Sequence, residues 1–215
     1  MVHELGKTNS IFNEFLRQVR DERIQKDRMR MRRNMERLGE IFAYEISKTL
    51  DYEPEEVTTP LGTADMNLPA QMPVLATIMR AGLPFHQGFL NYYDSADSAF
   101  VSAYRQHLKN EDEFEVKVEY LSSPSLKDHE LIIADPMLAT GTSMVLVHNA
   151  LLEKGKPKHV HVAALLASKE GVAYVKKNLP GNHTLWVGAI DDELTAQSYI
   201  VPGLGDAGDL CYGTK

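Results

Sequence analysis

The sequence is poor in several things, and each shortage excludes a class of function. Cys211 is the only cysteine in 215 residues, so neither an intramolecular disulfide nor a cluster of thiolate metal ligands can form. A reducing, cytoplasmic setting is the expectation. No run of about 18 apolar residues occurs, and the opening MVHELGKTNS has no apolar core of signal-peptide length, so no membrane partner is expected. The net charge of -7 argues against gross nucleic-acid binding. No GxSxG nucleophile elbow is present, and Cys211 sits among apolar and glycine neighbours, so covalent catalysis has no obvious agent. From Leu194 to Thr214 there is neither lysine nor arginine.

What remains is an ordinary globular composition, 43% hydrophobic and 25% charged. One domain with an appendage fits this length: an arm over 1–70, a core sheet over 71–190 and a tail over 191–215. Residues 11–50 carry apolar stripes at helical spacing in two pieces, around Ile11, Phe12, Leu16 and Val19, then Met31, Met35, Leu38, Phe42 and Ile46. Arg17 to Arg37 holds nine basic and four acidic residues, but such interspersed charge marks a solvated or dimer-facing helix more often than an RNA face. Asp51 to Leu68, broken by Pro54, Pro60 and Gly62, reads as an extended connection or small hairpin.

Strands are expected at Pro73 to Met79, Ser98 to Tyr104, Phe114 to Tyr120, His159 to Ala167 and Thr184 to Ile190. Helices are expected after Gly82 to about Leu90 and over Lys169 to Asn178, and the alternation predicts an α/β fold with a mostly parallel sheet. His107 to Glu113 is polar and reads as a mobile connection. Three patterns mislead. Gly6-Lys7-Thr8 lacks the earlier glycine and strand of a P-loop. Gly203, Gly205 and Gly208 match GxGxxG without the long continuation that a dinucleotide site needs. His159 and His161 share a strand face at a spacing that suits zinc, but no third ligand is near, and structural roles are commoner.

The stretch Leu131 to Leu152 organises the rest. An apolar strand ends at Asp135, and a helix with Met144, Val147 and Leu151 on one face begins near Ser143. Between them Ala139-Thr140-Gly141-Thr142-Ser143 is small, hydroxylated and glycine-bearing, so its amides can converge on an anion at the helix start. A plain turn with Ser143 as helix cap is the competing reading. Asp135, an acid at the carboxyl end of a parallel strand, tips the balance towards a ligand with both phosphate and sugar hydroxyls. Arg80-Ala81-Gly82 repeats the arrangement after its own strand, offering a guanidinium fork and a tight turn.

DPMLATGTS resembles the phosphoribosyl-diphosphate loop of the phosphoribosyltransferases, and its Asp-Pro form resembles the uracil phosphoribosyltransferase family. Tyr199 to Gly208, YIVPGLGDAG, resembles that family's uracil loop, and Ile78 to Leu83 resembles its diphosphate turn. The resemblance implies a type I phosphoribosyltransferase fold with a carboxyl-terminal hood over the base. It implies binding of 5-phosphoribosyl 1-diphosphate by Arg80, Arg105, Asp135, Pro136, Met137, Leu138, Ala139, Thr140, Gly141, Thr142, Ser143 and Asp206, with Arg105 at the base of a closing loop. Uracil would be bound at Tyr199, Ile200, Gly205, Asp206 and Ala207, the backbone of Ile200, Gly205 and Ala207 reading its edge. Arg80, Arg105, Asp135 and Asp206 would carry catalysis of UMP formation, with Mg²⁺ held through the diphosphate rather than in a protein cage. The family is oligomeric, which together with the apolar stripes leads us to expect at least a homodimer.

Thr142 stands where the family often has glycine, and Leu210 where it often has arginine. The second difference bears on how the tail couples to its neighbours, or on activation by a nucleotide such as GTP. Two alternatives stay open: an RNA-binding regulatory relative, against which Ala134 before Asp135 breaks the usual paired acids, and a non-catalytic nucleotide-binding paralogue.

Overall fold

The computed structural model describes residues 1–107 and 114–214. In chain order it has β1 (Val2–Glu4), a 3-10 turn at Leu5–Lys7, α1 (Ile11–Arg20), α2 (Arg28–Ser47), β2 (Tyr52–Thr59), β3 (Gly62–Pro69), β4 (Val74–Met79) and α3 (Gly82–Leu90). There follow β5 (Ser98–His107), β6 (Phe114–Ser122), β7 (Glu130–Ala134), β8 (Met137–Leu138), α4 (Thr142–Leu151) and a 3-10 turn at Leu152–Lys154. β9 (His159–Ser168), α5 (Lys169–Asn178), β10 (His183–Asp191), β11 (Glu193–Leu194), β12 (Ile200–Val201) and α6 (Ala207–Tyr212) complete it.

The main sheet runs β1-β10-β9-β7-β4-β5-β6, with β8 also on β9. Every pairing in it is parallel except β5 with β6. Continuous apolar runs give the central strands two buried faces, as a parallel sheet requires. Leu75, Ile132, Leu165 and Trp186 face α1, α2 and α3, while Val74, Ile133, Val162 and Val187 face α4 and α5. On the first side Phe42 meets Phe85 edge-on, with ring centroids 5.1 Å apart.

The helical piece over 11–50 divides at 21–27. Asp21 Oδ1 accepts from the amides of Arg23 (2.9 Å) and Ile24 (3.2 Å), a local turn that competes with helix, and Asp27 then caps α2 by accepting from Arg30 N at 3.0 Å. Except for Ile11, which is 62% exposed, the stripes of both helices are satisfied inside the chain: Phe12, Met31, Met35, Leu38, Phe42 and Ile46 are at most 1% exposed. The stripes as a whole are therefore weak ground for expecting a second subunit. Asp51 to Leu68 forms the hairpin β2–β3, which pairs with itself and stands off the main sheet. β1 and β8 were not expected. The polar connection expected over His107 to Glu113 lies, at 108–113, outside the described residues.

His159 and His161 have structural partners. Trp186 Nε1 donates to His161 Nδ1 (3.1 Å), so the other ring nitrogen carries the hydrogen and donates to Glu130 Oε2 (2.7 Å). His159 Nε2 lies 2.9 Å from Thr184 Oγ1. No helix among the described residues is long and apolar enough to cross a membrane.

Candidate active site

Parallel neighbours in register end together, and that places the phosphate-binding candidates on one edge. Thr77 is opposite Ala134, Met79 opposite Ser102, and Asp191 opposite Ser168. The turns after β4 and β7 therefore open side by side at the carboxyl end of the sheet, where open α/β folds bind ligands. The Met79–Arg80 peptide is cis, and Gly82 opens α3 so close to β7 that a Cβ there would stand 3.0 Å from the Ala134 carbonyl.

Asp135 follows β7 directly. Burial pushes its carboxyl up to about 7, opposed only by the Met137 amide, which donates to Oδ1 at 3.3 Å. The rise comes from desolvation and not from an ion pair, and with the glycine-bearing loop beside it this makes Asp135 a candidate site residue. Pro136 is buried and its carbonyl accepts from Leu166 N (2.9 Å). Met137 and Leu138 form β8, pairing with Leu166 and Ala167, so two of the nine residues from Asp135 to Ser143 are strand. Ala139 is pinned through its carbonyl by Ser168 Oγ at 2.5 Å.

Thr140 Oγ1 lies 3.2 Å from Thr142 Oγ1 and accepts from Thr142 N at 3.4 Å. Gly141, at φ +79°, holds the helix-cap position, and a side chain there would meet the Gly171 carbonyl at 2.9 Å. Ser143 is thus inside the first turn of α4, which has no side-chain cap, and the plain capping role for Ser143 is corrected. Apart from Thr142 N, the amides of that first turn have no capping side chain and could take an anion. A cavity of about 50 Å³ runs along the loop from Asp135 to Met144.

Arg80 reaches across to the tail, donating Nη2 to Asp209 Oδ1 (2.9 Å) and Nη1 to the Gly213 carbonyl (3.3 Å). The tail is not a continuous loop as expected. β11 and β12 pair antiparallel, with Leu194 opposite Ile200, and Asp206 caps the short α6 by accepting from Asp209 N at 2.9 Å. Ala207 is the first residue of α6, so its amide has no intrahelical acceptor. Tyr199 is 46% exposed, Ile200 is buried, and Gly205 (φ +94°) faces open space.

Asp206 and Arg80 converge at Gly208, where a Cβ would lie 3.2 Å from Asp206 Oδ1 and 3.5 Å from Arg80 Nη2. Base-side and diphosphate-side candidates are so brought together. Arg105 lies in β5, its backbone opposite Val116, three residues past the point where β5 leaves β4; its side chain is outside the described atoms.

Several residues at the site escaped the sequence reading. Asp209 binds Arg80, and Arg32 donates Nη1 to the Cys211 carbonyl at 2.6 Å. Arg20 donates to the Gly203 carbonyl at 3.0 Å. The absence of cations between Leu194 and Thr214 is thus offset from elsewhere in the fold, each arginine being already engaged by a tail oxygen. Cys211 itself is buried with its thiol raised to about 11, which removes it as a nucleophile.

A family model described as uracil phosphoribosyltransferase matches residues 8–214. A curated uracil phosphoribosyltransferase of Porphyromonas gingivalis is 54% identical over 214 residues, covering 100% of this chain and 99% of its own. The chain belongs to the uracil phosphoribosyltransferase family. A Thermococcus gammatolerans uracil phosphoribosyltransferase is 34% identical, over 93% of this chain and 88% of its own length. Among solved structures, the AQ2163 protein of Aquifex aeolicus superposes with a TM-score of 0.87 at 28% identity, covering 100% of this chain and 99% of that one. The sheet and its flanking helices are thus those of a phosphoribosyltransferase, and the uracil phosphoribosyltransferase family supplies the frame in which Asp135, Arg80 and the tail are to be read.

Proposed function

We propose that the chain transfers the phosphoribosyl group of 5-phosphoribosyl 1-diphosphate to N1 of uracil, giving UMP and diphosphate. The observation that carries this reading is the meeting of an uncapped helix start beside Asp135 with a tail folded onto Arg80 on the same sheet edge. The amides from Thr140 to Ser143 would hold the 5-phosphate, and ionised Asp135 would accept from the ribose hydroxyls. Arg80 and, from β5, Arg105 would bind the diphosphate as it leaves. Charge moves from the ribosyl carbon onto the diphosphate, so fixed cations and exact placement do most of the work.

The edge of uracil presents acceptor, donor and acceptor in turn, which backbone groups of Ile200, Gly205 and Ala207 can match. Orotate would bring a carboxylate to a tail whose nearby arginines are engaged, and should be a poor substrate. Cytosine reverses two of the ring-edge groups and should fail as well.

Phosphoribosyltransferases generally use Mg²⁺ with this substrate. Asp206 lies beside Arg80 on the diphosphate side, so its carboxylate would be the protein oxygen nearest a metal carried by the diphosphate. Held there, such a metal would supply positive charge to offset the negative charge developing on the leaving group.

At least a homodimer also remains our proposal, on other ground than the helical stripes. The hairpin β2–β3 exposes Leu61 fully, and Tyr52 and Met66 by 44% and 48%, and an isolated two-stranded hairpin is marginal without a partner. Light scattering tests this, a monomeric mass at full activity counting against it. The activity itself is tested by supplying uracil, phosphoribosyl diphosphate and Mg²⁺ and following UMP. Nucleotide binding with no UMP formed would favour the non-catalytic paralogue.

A further inference from the structure

The base-reading segment turns through Val201, Pro202 and Gly203, and an ion pair from outside the tail holds that turn. Arg20, the last residue of α1, donates Nη1 to Asp191 Oδ2 at 2.8 Å and Nη2 to Asp191 Oδ1 at 2.7 Å. The same Nη1 donates to the Gly203 carbonyl at 3.0 Å. Asp191 Oδ2 in turn accepts from Gly203 N at 2.9 Å. Both backbone polar groups of Gly203 are therefore taken by one ion pair. Gly203 has φ +55°, and a Cβ on it would run into the Ile200 carbonyl, so no larger residue can take this place.

The pair is shielded, the Asp191 side chain being 8% exposed and that of Arg20 23%. A second contact fastens the next residue: the Gln25 amide, oriented to satisfy both acceptors, donates to the carbonyls of Val19 and Leu204 at 2.9 Å each. The end of α1 and the turn after it thereby fix residues 203 and 204, directly before Gly205, Asp206 and Ala207.

We infer that Arg20 and Asp191 are positioning residues for the base, fixing the turn at Gly203 so that the backbone groups of Ile200, Gly205 and Ala207 face one flat ligand. This rests on the reading of the tail as the uracil-binding segment. Neither side chain needs to touch substrate; both act through Gly203. A shielded ion pair contributes little net stability compared with an apolar pair of the same size, whereas its planar fork imposes direction on the groups it holds. An orienting role follows from that difference. The phosphate loop has a separate side-chain fastening, Ser168 Oγ donating to the Ala139 carbonyl, and although Ser168 is the backbone neighbour of Asp191, neither Arg20 nor the Asp191 carboxylate takes part in that bond.

The test uses the full chain and measures KM for uracil and for phosphoribosyl diphosphate separately, together with Tm. Arg20→Ala should raise the uracil KM by about 30-fold or more, because one partner of a shielded charge pair is lost, and move the other KM by less than about threefold. Added guanidinium ion should lower the raised uracil KM. Arg20→Lys, which keeps the charge but loses the fork, should raise the uracil KM alone and to a smaller extent; it carries the test if the alanine variant does not fold. Equal movement of both KM values, or no movement of either, overturns the inference. Ala207→Pro serves as the control for the underlying reading. If it leaves uracil use intact, the tail is not the base site; if it abolishes uracil use while Arg20→Ala and Arg20→Lys change nothing, only the positioning role falls.

Discussion

The phosphate loop is fastened by its neighbours, while the tail is fastened from a distance. Ala139 is pinned by Ser168, 29 positions on, through a serine that also caps α5, and the loop continues into β8 on the adjacent strand. The tail is held by Arg80, Arg32 and Arg20, which act across 129, 179 and 183 positions. One half of the site is thus a property of two consecutive strand-helix units, and the other half is an assembly that exists only once the whole chain has folded. Changes in the loop should alter chemistry locally, whereas changes far from the tail in sequence should alter base recognition.

The largest effect expected is at Ala207. It occupies the first position of α6, where proline is well tolerated, so Ala207→Pro should delete one amide donor without breaking the helix. UMP formation should be lost, and Ala207→Ser should be much milder; initial rates at several uracil concentrations check both. Asp135→Asn comes next, because it removes a charge-assisted sugar contact and should cost about 1.5–3 kcal/mol in kcat/KM for phosphoribosyl diphosphate. Unchanged kinetics in that variant would remove Asp135 from the site.

The pH dependence is smaller and has a definite sign. The Asp135 carboxyl titrates at about 7 in the folded chain against an ordinary 3.8, and only its ionised form can accept from sugar hydroxyls without donating. kcat/KM for phosphoribosyl diphosphate should therefore fall as pH drops below about 7, and Asp135→Asn should lack that limb. Stability runs the other way. A group whose folded pKa is raised stabilises the fold when protonated, and that contribution is lost as pH rises through about 7. Above that pH, Asp135→Asn should be the more stable protein by about 1–3 kcal/mol in denaturant melts. The smallest effect expected is from Asp209→Asn, which weakens one hold on Arg80 and should cost about 1 kcal/mol in kcat/KM, with Tm little changed.

The same contrast explains what could be read from the sequence. β4, β9 and β10 are long apolar runs, and they fall within a residue or two of the expected bounds, while α5 spans the expected Lys169 to Asn178. β1 and β8 are too short for any periodicity, and pairing with β10 and β9 alone makes them strands. Asp135 and Arg80 were legible because each follows its strand directly, and Gly141 because a glycine between an apolar strand and a helical run marks the turn. Asp191 ends β10 at the carboxyl edge of the same sheet and was open to a similar argument. α6 was hidden by glycine and aspartate, although Asp206 at three residues before Asp209 is a usable cap signal. Arg20, Arg32 and Asp209 carry no local signal of their role, because long-range contacts leave no spacing in the chain.

Separate fastening of the two halves is best tested by direct binding of phosphoribosyl diphosphate with Mg²⁺, measured by calorimetry on the wild type, Ala207→Pro and Asp135→Asn. Ala207→Pro should bind it within about threefold of wild type while forming no UMP, and Asp135→Asn should bind it at least about tenfold more weakly. Equal loss in both variants would show that the halves are one coupled unit, and intact binding by Asp135→Asn would contradict the assignment of the loop.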